Sequence, residues 1–162
     1  MFRHILVPLD GSRFGSRAIR YATDIARRFG AEITLLQVVK RPATIVPATG
    51  ISPGVADPST AEMAVEAAIE EEKSNVARAR RYLSGKARDT KSKNIKTSYQ
   101  VILGDPSRSI MDFSRKKHID LIVMTTHGKS GLKRAVMGSV ADAVIRESGK
   151  PVLVVRPGSR SK

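Results

Sequence analysis

The residues best suited to do chemistry lie in a glycine-rich loop in the last third of the chain. An apolar run ends at Met124, and Gly128 and Gly131 follow among small polar and basic residues. Gly138 and Ser139 then open a segment with helical spacing. Glycine lets backbone N–H groups approach a ligand closely, and a helix N-terminus presents free N–H donors and a partial positive charge. A strand, a small-residue loop and a helix start in this order indicate a phosphate site.

The known phosphate-binding motifs do not match this loop. Gly128-Lys129-Ser130 resembles the end of a Walker A motif, but that motif needs a glycine five residues before Gly128, where this chain has Val123. No G-x-G-x-x-G pattern follows an apolar run. If the loop holds phosphate, it does so in another way.

No catalytic or metal-binding constellation is evident in the sequence. The histidines His4, His118 and His127 are far apart and lack the spacing of metal ligands. We find no Ser-His-Asp arrangement, and no pair of carboxylates is placed to act as acid and base. We therefore expect no catalytic residue and no metal site formed by the protein alone, and any hydrolysis should be slow because no residue is dedicated to positioning water.

Composition and charge narrow the class of protein. The 162 residues are 41% hydrophobic, with 4% aromatic residues and no cysteine, so we expect one domain with an aliphatic core and no disulfide or thiolate site. We see neither a signal-peptide pattern nor an apolar run long enough to span a membrane, which predicts a soluble, cytoplasmic protein. The net charge of +14 comes from residues 73–162, which have 21 Lys or Arg and six Asp or Glu. A basic field of this kind attracts phosphate-bearing partners.

Apolar runs alternate with helical spacing along the whole chain. This predicts strands at 4–9, 32–39, 95–103, 119–124 and 151–155, and helices at 14–29, 59–87, from 106, and at 139–146. The predicted caps are Ser12 and Gly30 for the first helix, a capping box from Ser59 for the second, and Asp105 followed by Pro106 for the third.

Two segments read as connections rather than elements. Residues 41–59 are rich in proline and glycine and have no lasting period, which predicts a flexible surface loop or flap. Residues 89–96 are polar and basic and should form an exposed connection. The second helix should bury the apolar residues spaced along it, namely Ala64, Val65, Ala68, Ile69, Val76, Ala79 and Leu83.

The alternation predicts an α/β fold with a parallel sheet covered on both faces. Ligands of such sheets bind beyond the C-terminal strand ends, at the point where the strand order reverses. Two loops are candidates: Asp10-Gly11-Ser12 after the first strand and residues 125–139 after the fourth. If those strands are neighbours, both loops line one crevice.

The sequence resembles the universal stress protein family over essentially its whole length. The resemblance is carried by residues 5–12, ILVPLDGS, by residues 33–38, by Gly104-Asp105-Pro106, by residues 120–124, by His127-Gly128-Lys129-Ser130-Gly131, by Gly138-Ser139-Val140 and by residues 150–155. It implies a single domain over residues 1–157, followed by a tail at 158–162. The implied fold is a three-layer α/β/α, Rossmann-like fold of the adenine nucleotide alpha hydrolase-like kind, with a five-stranded parallel sheet of order 3-2-1-4-5.

The resemblance also implies a site for ATP or AMP, with Mg²⁺ helping to neutralise the phosphates. Its residues would be Pro8, Leu9, Asp10, Val38, Met124, Thr125, His127, Gly128, Lys129, Ser130, Gly138, Ser139 and Val140. Asp10 would bond ribose or adenine, Pro8 and Leu9 would line the base pocket, and the Val38 backbone would meet adenine. Backbone N–H groups of Gly128, Gly138, Ser139 and Val140 would hold phosphate, and Ser139 would add its hydroxyl.

One position departs from the pattern of nucleotide-binding family members. These have glycine, two residues, glycine, nine residues and then Gly-Ser or Gly-Thr, whereas this chain has Thr125 at the first glycine. A β-branched residue stiffens the backbone there and could crowd a phosphate, although its hydroxyl could also serve as a ligand.

Several functions follow from these features. The leading hypothesis is a stress-response sensor or switch that binds adenine nucleotide and forms a homodimer through the fifth strand, at Val152, Leu153, Val154 and Val155, as the family does. The alternatives are a dimeric interaction module that binds no nucleotide, a nucleic-acid-associated protein using its basic surface, and a weak nucleotide phosphohydrolase. The segment from Lys86 to Lys96 is the basic stretch that could contact nucleic acid, but only Tyr82 and Tyr99 flank it as aromatic residues that could stack on a single strand.

Overall fold

The computed structural model describes residues 1–41, 58–126 and 137–156. Strands and helices alternate throughout: β1 (His4–Pro8), α1 (Arg17–Phe29), β2 (Glu32–Val39), α2 (Pro58–Lys91), β3 (Thr97–Leu103), α3 (Pro106–Lys116), β4 (Leu121–Thr125), α4 (Ser139–Glu147) and β5 (Val152–Val155). The predicted order of elements is therefore confirmed.

The five strands form one parallel sheet of order β3-β2-β1-β4-β5, as predicted. Ile5 of β1 pairs with Ile33 of β2 on one side and with Leu121 of β4 on the other. The strand order reverses between β1 and β4, so the loops that follow these two strands leave the sheet side by side. The sheet thus creates the crevice that the sequence predicted.

Helices cover both faces of the sheet. Apolar residues of α1 and α2, such as Ala22 and Leu83, pack with Val7 on one face. Residues of α3 and α4, such as Ile110 and Val144, pack with Leu6 on the other. Each of these six side chains is at most 3% exposed, so the sheet is packed tightly between the two helical layers.

The predicted N-cap of α1 is wrong. Helix α1 begins at Arg17, and Ser16 occupies the N-cap position without a side-chain cap bond. The Ser12 hydroxyl instead donates to Asp10 at 2.7 Å and accepts from the Gly15 N–H at 2.9 Å. Ser12 is therefore part of the turn after β1. The predicted C-terminal stop is confirmed, because Gly30 has the left-handed conformation with φ of 65°.

Helix α2 differs most from its prediction. Val65 and Ile69, which were expected to be buried, are 54% and 50% exposed. At 1.5 Å per residue its 34 residues span about 51 Å, whereas the eight residues of β2 span only about 27 Å. The first turns of the helix therefore extend past the sheet, and full burial begins at Ala79.

The remaining boundaries shift by a few residues. Helix α2 runs from Pro58 to Lys91, so it includes the end of the predicted flap and the start of the predicted connection at 89–96. Residues 42–57 of the flap and the tail at 158–162 lie outside the described residues. The cap of α3 is confirmed, since the Asp105 carboxylate accepts from the Arg108 N–H at 2.9 Å and Pro106 opens the helix.

Candidate functional site

A cleft of about 850 Å³ lies at the C-terminal ends of β1, β2 and β4. The structure places the nine described residues of the predicted site around it, namely Pro8, Leu9, Asp10, Val38, Met124, Thr125, Gly138, Ser139 and Val140. The other four, His127, Gly128, Lys129 and Ser130, lie outside the described residues. Two loops that are more than a hundred residues apart in sequence thus contribute to one cleft, and the roles of these residues toward a ligand stay predictions.

Asp10 forms the centre of the turn after β1. Its Oδ1 accepts from the backbone N–H of Ser12 at 3.0 Å and from the Ser12 hydroxyl at 2.7 Å. A Cβ on Gly15 would lie 2.6 Å from the same oxygen, so the chain wraps closely around it. Its Oδ2 is buried and has no hydrogen-bond partner among the described residues. One oxygen therefore holds the turn, and the described residues provide no donor for the other.

Tyr82 of α2 lies beside Asp10 on the same side of the cleft. Burial raises the pKa of the Tyr82 hydroxyl, and the negative charge of Asp10 raises it further. The hydroxyl points to the Ser12 carbonyl at 3.4 Å. Tyr82 therefore stays neutral at physiological pH and forms part of the cleft wall, and the Lys86 ammonium lies 5.9 Å from the centre of its ring.

The opposite wall is the N-terminus of α4. Gly138 is the N-cap, has no capping side chain, and donates its N–H to the Thr126 carbonyl at 2.8 Å. The first intrahelical bond runs from Asp142 to Gly138, so the N–H groups of Ser139, Val140 and Ala141 have no acceptor within the helix. All three residues line the cleft, and the helix dipole makes this end partly positive. This wall is suited to an anion.

The Val38 backbone opens toward the same crevice. The Leu36 carbonyl accepts a hydrogen bond from the N–H of Leu9, which follows β1, at 2.7 Å. The Val39 carbonyl accepts one from the N–H of Gly104, which follows β3, at 3.0 Å. Because successive residues of a strand direct their N–H and C=O groups to opposite sides, Val38 directs its pair toward β1. Strand β1 has already ended at Pro8, so the Val38 backbone faces the cleft instead of a strand.

An apolar surface lies between these polar groups. Val38, Ile110, Met124 and Val140 line the cleft and belong to the core on the α3 and α4 side. A flat apolar ring could pack against these side chains with its edge on the Val38 backbone. The cleft thus offers acceptors, an apolar floor and a donor-rich helix end.

Sequence reasoning missed the wall formed by α2 and part of β2. Gln37, Asn75, Arg78 and Tyr82 line the cleft, and Arg78 donates to the Asn75 side chain at 2.9 Å. The available signal was the spacing of the α2 residues 75, 78 and 82, which lie on one helix face. The spacing does not show which end of the sheet this helix face covers, because that depends on how α2 crosses β2.

A second cavity, of about 570 Å³, lies at the opposite end of the sheet. It is lined by Arg3, Arg27 and Lys93, and the Lys96 ammonium pairs with Glu32 at 2.6 Å. The bond from Lys96 lowers the pKa of Glu32 against the smaller opposing effect of burial. His4 bonds Thr34 at 2.8 Å here, far from the crevice. The described residues of this cavity include no buried side-chain oxygen or nitrogen without a partner, which separates it from the cleft.

The described ranges contain no group of three His, Cys, Asp or Glu residues that could hold a metal ion. Within the same ranges, no helix has both the length and the apolar character that crossing a membrane requires.

Comparison with known proteins identifies the family. The model of the universal stress protein family matches residues 1–156. Universal stress protein MJ0531 of Methanocaldococcus jannaschii is 32% identical over 156 residues, which cover 96% of this chain and 83% of that protein. Among solved structures, protein MJ0577 of the same organism superposes with a TM-score of 0.79 at 24% identity. The match covers 98% of this chain and 99% of the MJ0577 chain. A universal stress protein from Archaeoglobus fulgidus in complex with dAMP superposes with a TM-score of 0.61 at 17% identity, covering 95% of this chain and 97% of its own. The chain belongs to the universal stress protein family.

Proposed function

We propose that the cleft binds an adenine nucleotide, ATP or AMP, and that the protein acts as a stress-response sensor or regulatory switch. The observation that carries this proposal is the buried Oδ2 of Asp10, which has no partner among the described residues and lies in the wall of the cleft. Leaving a buried acceptor unpaired costs about 1–3 kcal/mol. A ligand hydroxyl or amino group that donates to Asp10 would recover this energy.

The three parts of a nucleotide match three parts of the cleft. Ribose hydroxyls are donors and suit Asp10, and the adenine ring suits the apolar surface beside Val38 and Met124. Phosphates suit the N–H groups at the start of α4, which have no acceptor within the helix. The protein from Archaeoglobus fulgidus solved with dAMP has the same fold. Mg²⁺ would accompany ATP and bind mainly through its phosphates.

The test uses the full chain and the Asp10→Asn variant. Purified protein is first denatured, and the supernatant is examined for bound nucleotide by anion-exchange chromatography and mass spectrometry. Calorimetry with ATP, AMP and Mg²⁺ then gives affinities. Since a hydrogen bond to a charged group contributes roughly 1.5–3 kcal/mol, Asp10→Asn should bind about 10- to 100-fold more weakly.

Binding to the unaltered protein with no change in Asp10→Asn would remove Asp10 from the site. A protein with neither co-purified nor added nucleotide bound would contradict the proposed function. The observation that favours the alternative, an interaction module that binds no nucleotide, is Thr125, which lines the cleft where nucleotide-binding family members have glycine.

We also propose that two copies pair through β5. This strand is at the edge of the sheet and pairs with β4 through Val152 to Val155. The carbonyls of Pro151 and Val155 accept hydrogen bonds from backbone N–H groups of β4 and the residue after it. Because backbone groups alternate in direction along a strand, Val152 and Val154 direct their N–H and C=O groups away from β4. An unpaired edge of this kind is a template for a second strand.

Val154→Pro removes an outward N–H and leaves the bonds to β4 in place, since proline is tolerated on edge strands. Val154→Thr keeps that N–H and is the control. We expect a dimer for the unaltered chain and for the control in sedimentation equilibrium, and a monomer for Val154→Pro. A monomer in all three, or a dimer in all three, would exclude pairing through this edge.

A further inference from the structure

Gln37 carries a second buried acceptor that has no partner among the residues that the structure describes. Its side-chain Oε1 is the one other buried side-chain oxygen or nitrogen, besides Asp10 Oδ2, for which the described residues provide no hydrogen bond. Gln37 lines the same cleft. A group of this kind in a well-packed sheet needs an explanation, because nearly all buried polar atoms are paired.

We propose that Gln37 is a specificity-determining residue, whose side-chain oxygen accepts a hydrogen bond from the nucleoside half of the bound nucleotide. The inference rests on the proposed function and adds to it a residue that is not among the predicted site residues. The donor is either a ribose hydroxyl or the exocyclic amino group of adenine, since these are the groups of the nucleoside that can donate.

The sheet brings the two unpaired acceptors to one place. Pro8 pairs with Leu36 at the last rung between β1 and β2, so Gln37 follows immediately on one strand and Asp10 two residues later on the other. Neighbouring strands are about 4.8 Å apart. Both acceptors therefore belong to the end of the cleft where β1 stops.

The cleft is consequently polarised. Acceptors without partners lie at the β1 and β2 end, and N–H donors without intrahelical acceptors lie at the start of α4, at Ser139, Val140 and Ala141. A nucleotide has the matching polarity, because its nucleoside half carries hydrogen-bond donors and its ionised phosphates carry only acceptors. This complementarity fixes the orientation of the ligand, with the nucleoside toward Gln37.

The Oε1 atom is covered in the structure, so a ligand must reach it through a side-chain rotation. The terminal torsion of glutamine has a broad energy profile, and rotating it is inexpensive. Burial also means that the unpaired oxygen penalises the nucleotide-free protein. Gln37→Met, which has nearly the same shape and no strong acceptor, should therefore leave the free protein at least as stable as the unaltered chain.

The experiment measures affinity by calorimetry for ATP, 2′-deoxy-ATP, 3′-deoxy-ATP and inosine triphosphate, in which a keto oxygen replaces the amino group. Gln37→Met should weaken ATP binding about 3- to 10-fold, as the loss of one neutral hydrogen bond predicts. It should also abolish the discrimination against one analogue, and that analogue identifies the donor. Gln37→Glu keeps an acceptor and should keep that discrimination.

Gln100→Met is the matched control, because it makes the same substitution at an exposed position of neighbouring β3. It should bind like the unaltered chain. Thermal unfolding without ligand separates binding from structure: a loss of affinity at unchanged or higher Tm supports a ligand contact, whereas a structural role predicts a lower Tm.

If Gln37→Met binds ATP as the unaltered chain does, or weakens ATP and all three analogues by one factor, the inference is wrong and the proposed function stands. If the unaltered chain binds none of the four compounds, the proposed function and the inference both fail.

Discussion

Gly138 offers the most direct test of how the start of α4 is built. A Cβ added there would lie 2.8 Å from the Thr126 carbonyl oxygen, about 0.6 Å closer than an ordinary contact, which begins near 3.4 Å. The same oxygen accepts the Gly138 N–H at 2.8 Å. A methyl group can therefore be accommodated only if the hydrogen bond between the two residues lengthens or the backbone shifts.

The expected magnitude follows from two opposing effects. The Gly138 dihedrals, φ of −66° and ψ of 145°, suit any residue, so alanine would gain about 0.4–1 kcal/mol by restricting the unfolded chain. Overpacking against backbone costs about 1–3 kcal/mol. We expect Gly138→Ala to lower the free energy of unfolding by about 1–2 kcal/mol, which in a chain of this size lowers Tm by about 2–8 °C.

Gly85→Ala is the matched control. Gly85 lies inside α2, and a Cβ there would have nothing within 4 Å. Glycine inside a helix is less favourable than alanine by about 0.5–1 kcal/mol, so this variant should be more stable than the unaltered chain. Urea unfolding followed by far-UV circular dichroism measures both. If Gly138→Ala proves as stable as Gly85→Ala, the close approach to Thr126 does not constrain the start of α4.

Two further predictions concern binding and acid stability. Ser139→Pro removes one N–H from the cleft at the first helical position, where proline is favoured, and Gly138 before it already has the extended conformation that a preceding residue needs. It should weaken ATP binding at least about 10-fold at unchanged Tm. Ser139→Ala keeps the N–H and should lose less affinity for ATP. If calorimetry gives the two variants equal affinities, phosphate does not bind at this N–H group. Bonds from the backbone N–H groups of Arg3 and His4, each 2.9 Å, hold the pKa of Asp120 below its ordinary value. The carboxylate therefore adds stability above the ordinary pKa of aspartate, and this is lost as pH falls through the lowered value. Asp120→Asn should cost roughly 1 kcal/mol at pH 7, and its deficit in urea unfolding should vanish in acid; a deficit independent of pH would refute this cause.

The sheet and its helices were predictable because the local signals agree. Continuous apolar strands, the left-handed Gly30 at the end of α1, and Asp105 with Pro106 at the start of α3 each act over a few residues. These signals depend on residues that are close together in the sequence, so they can be recognised without knowing the rest of the fold. Position along the sheet is a different matter, because it depends on the lengths of elements that are distant in sequence. That is why Val65 and Ile69 fit the helical period but extend past the sheet.

The same distinction separates the two halves of the cleft. Asp10 and Gly138 follow strands that a parallel sheet brings to one edge, so their meeting is foreseeable from topology. Gln37 is an ordinary polar residue within an apolar strand, and nothing local predicts that its oxygen is buried without a partner. That environment depends on how elements distant in sequence pack around the end of β2.

Asp10 shows why a structural and a functional interpretation of one residue need not compete. An aspartate that directly follows a strand can bond the backbone of its own turn or contact a ligand. The Oδ1 atom holds the turn by accepting from the backbone N–H and the hydroxyl of Ser12, whereas Oδ2 is buried and has no partner within the described ranges. Asparagine has one oxygen in place of two, so it can serve the turn or a ligand donor but not both. Serving both roles therefore requires a carboxylate at this position, and Asp10→Asn should separate the turn, which survives, from binding, which weakens.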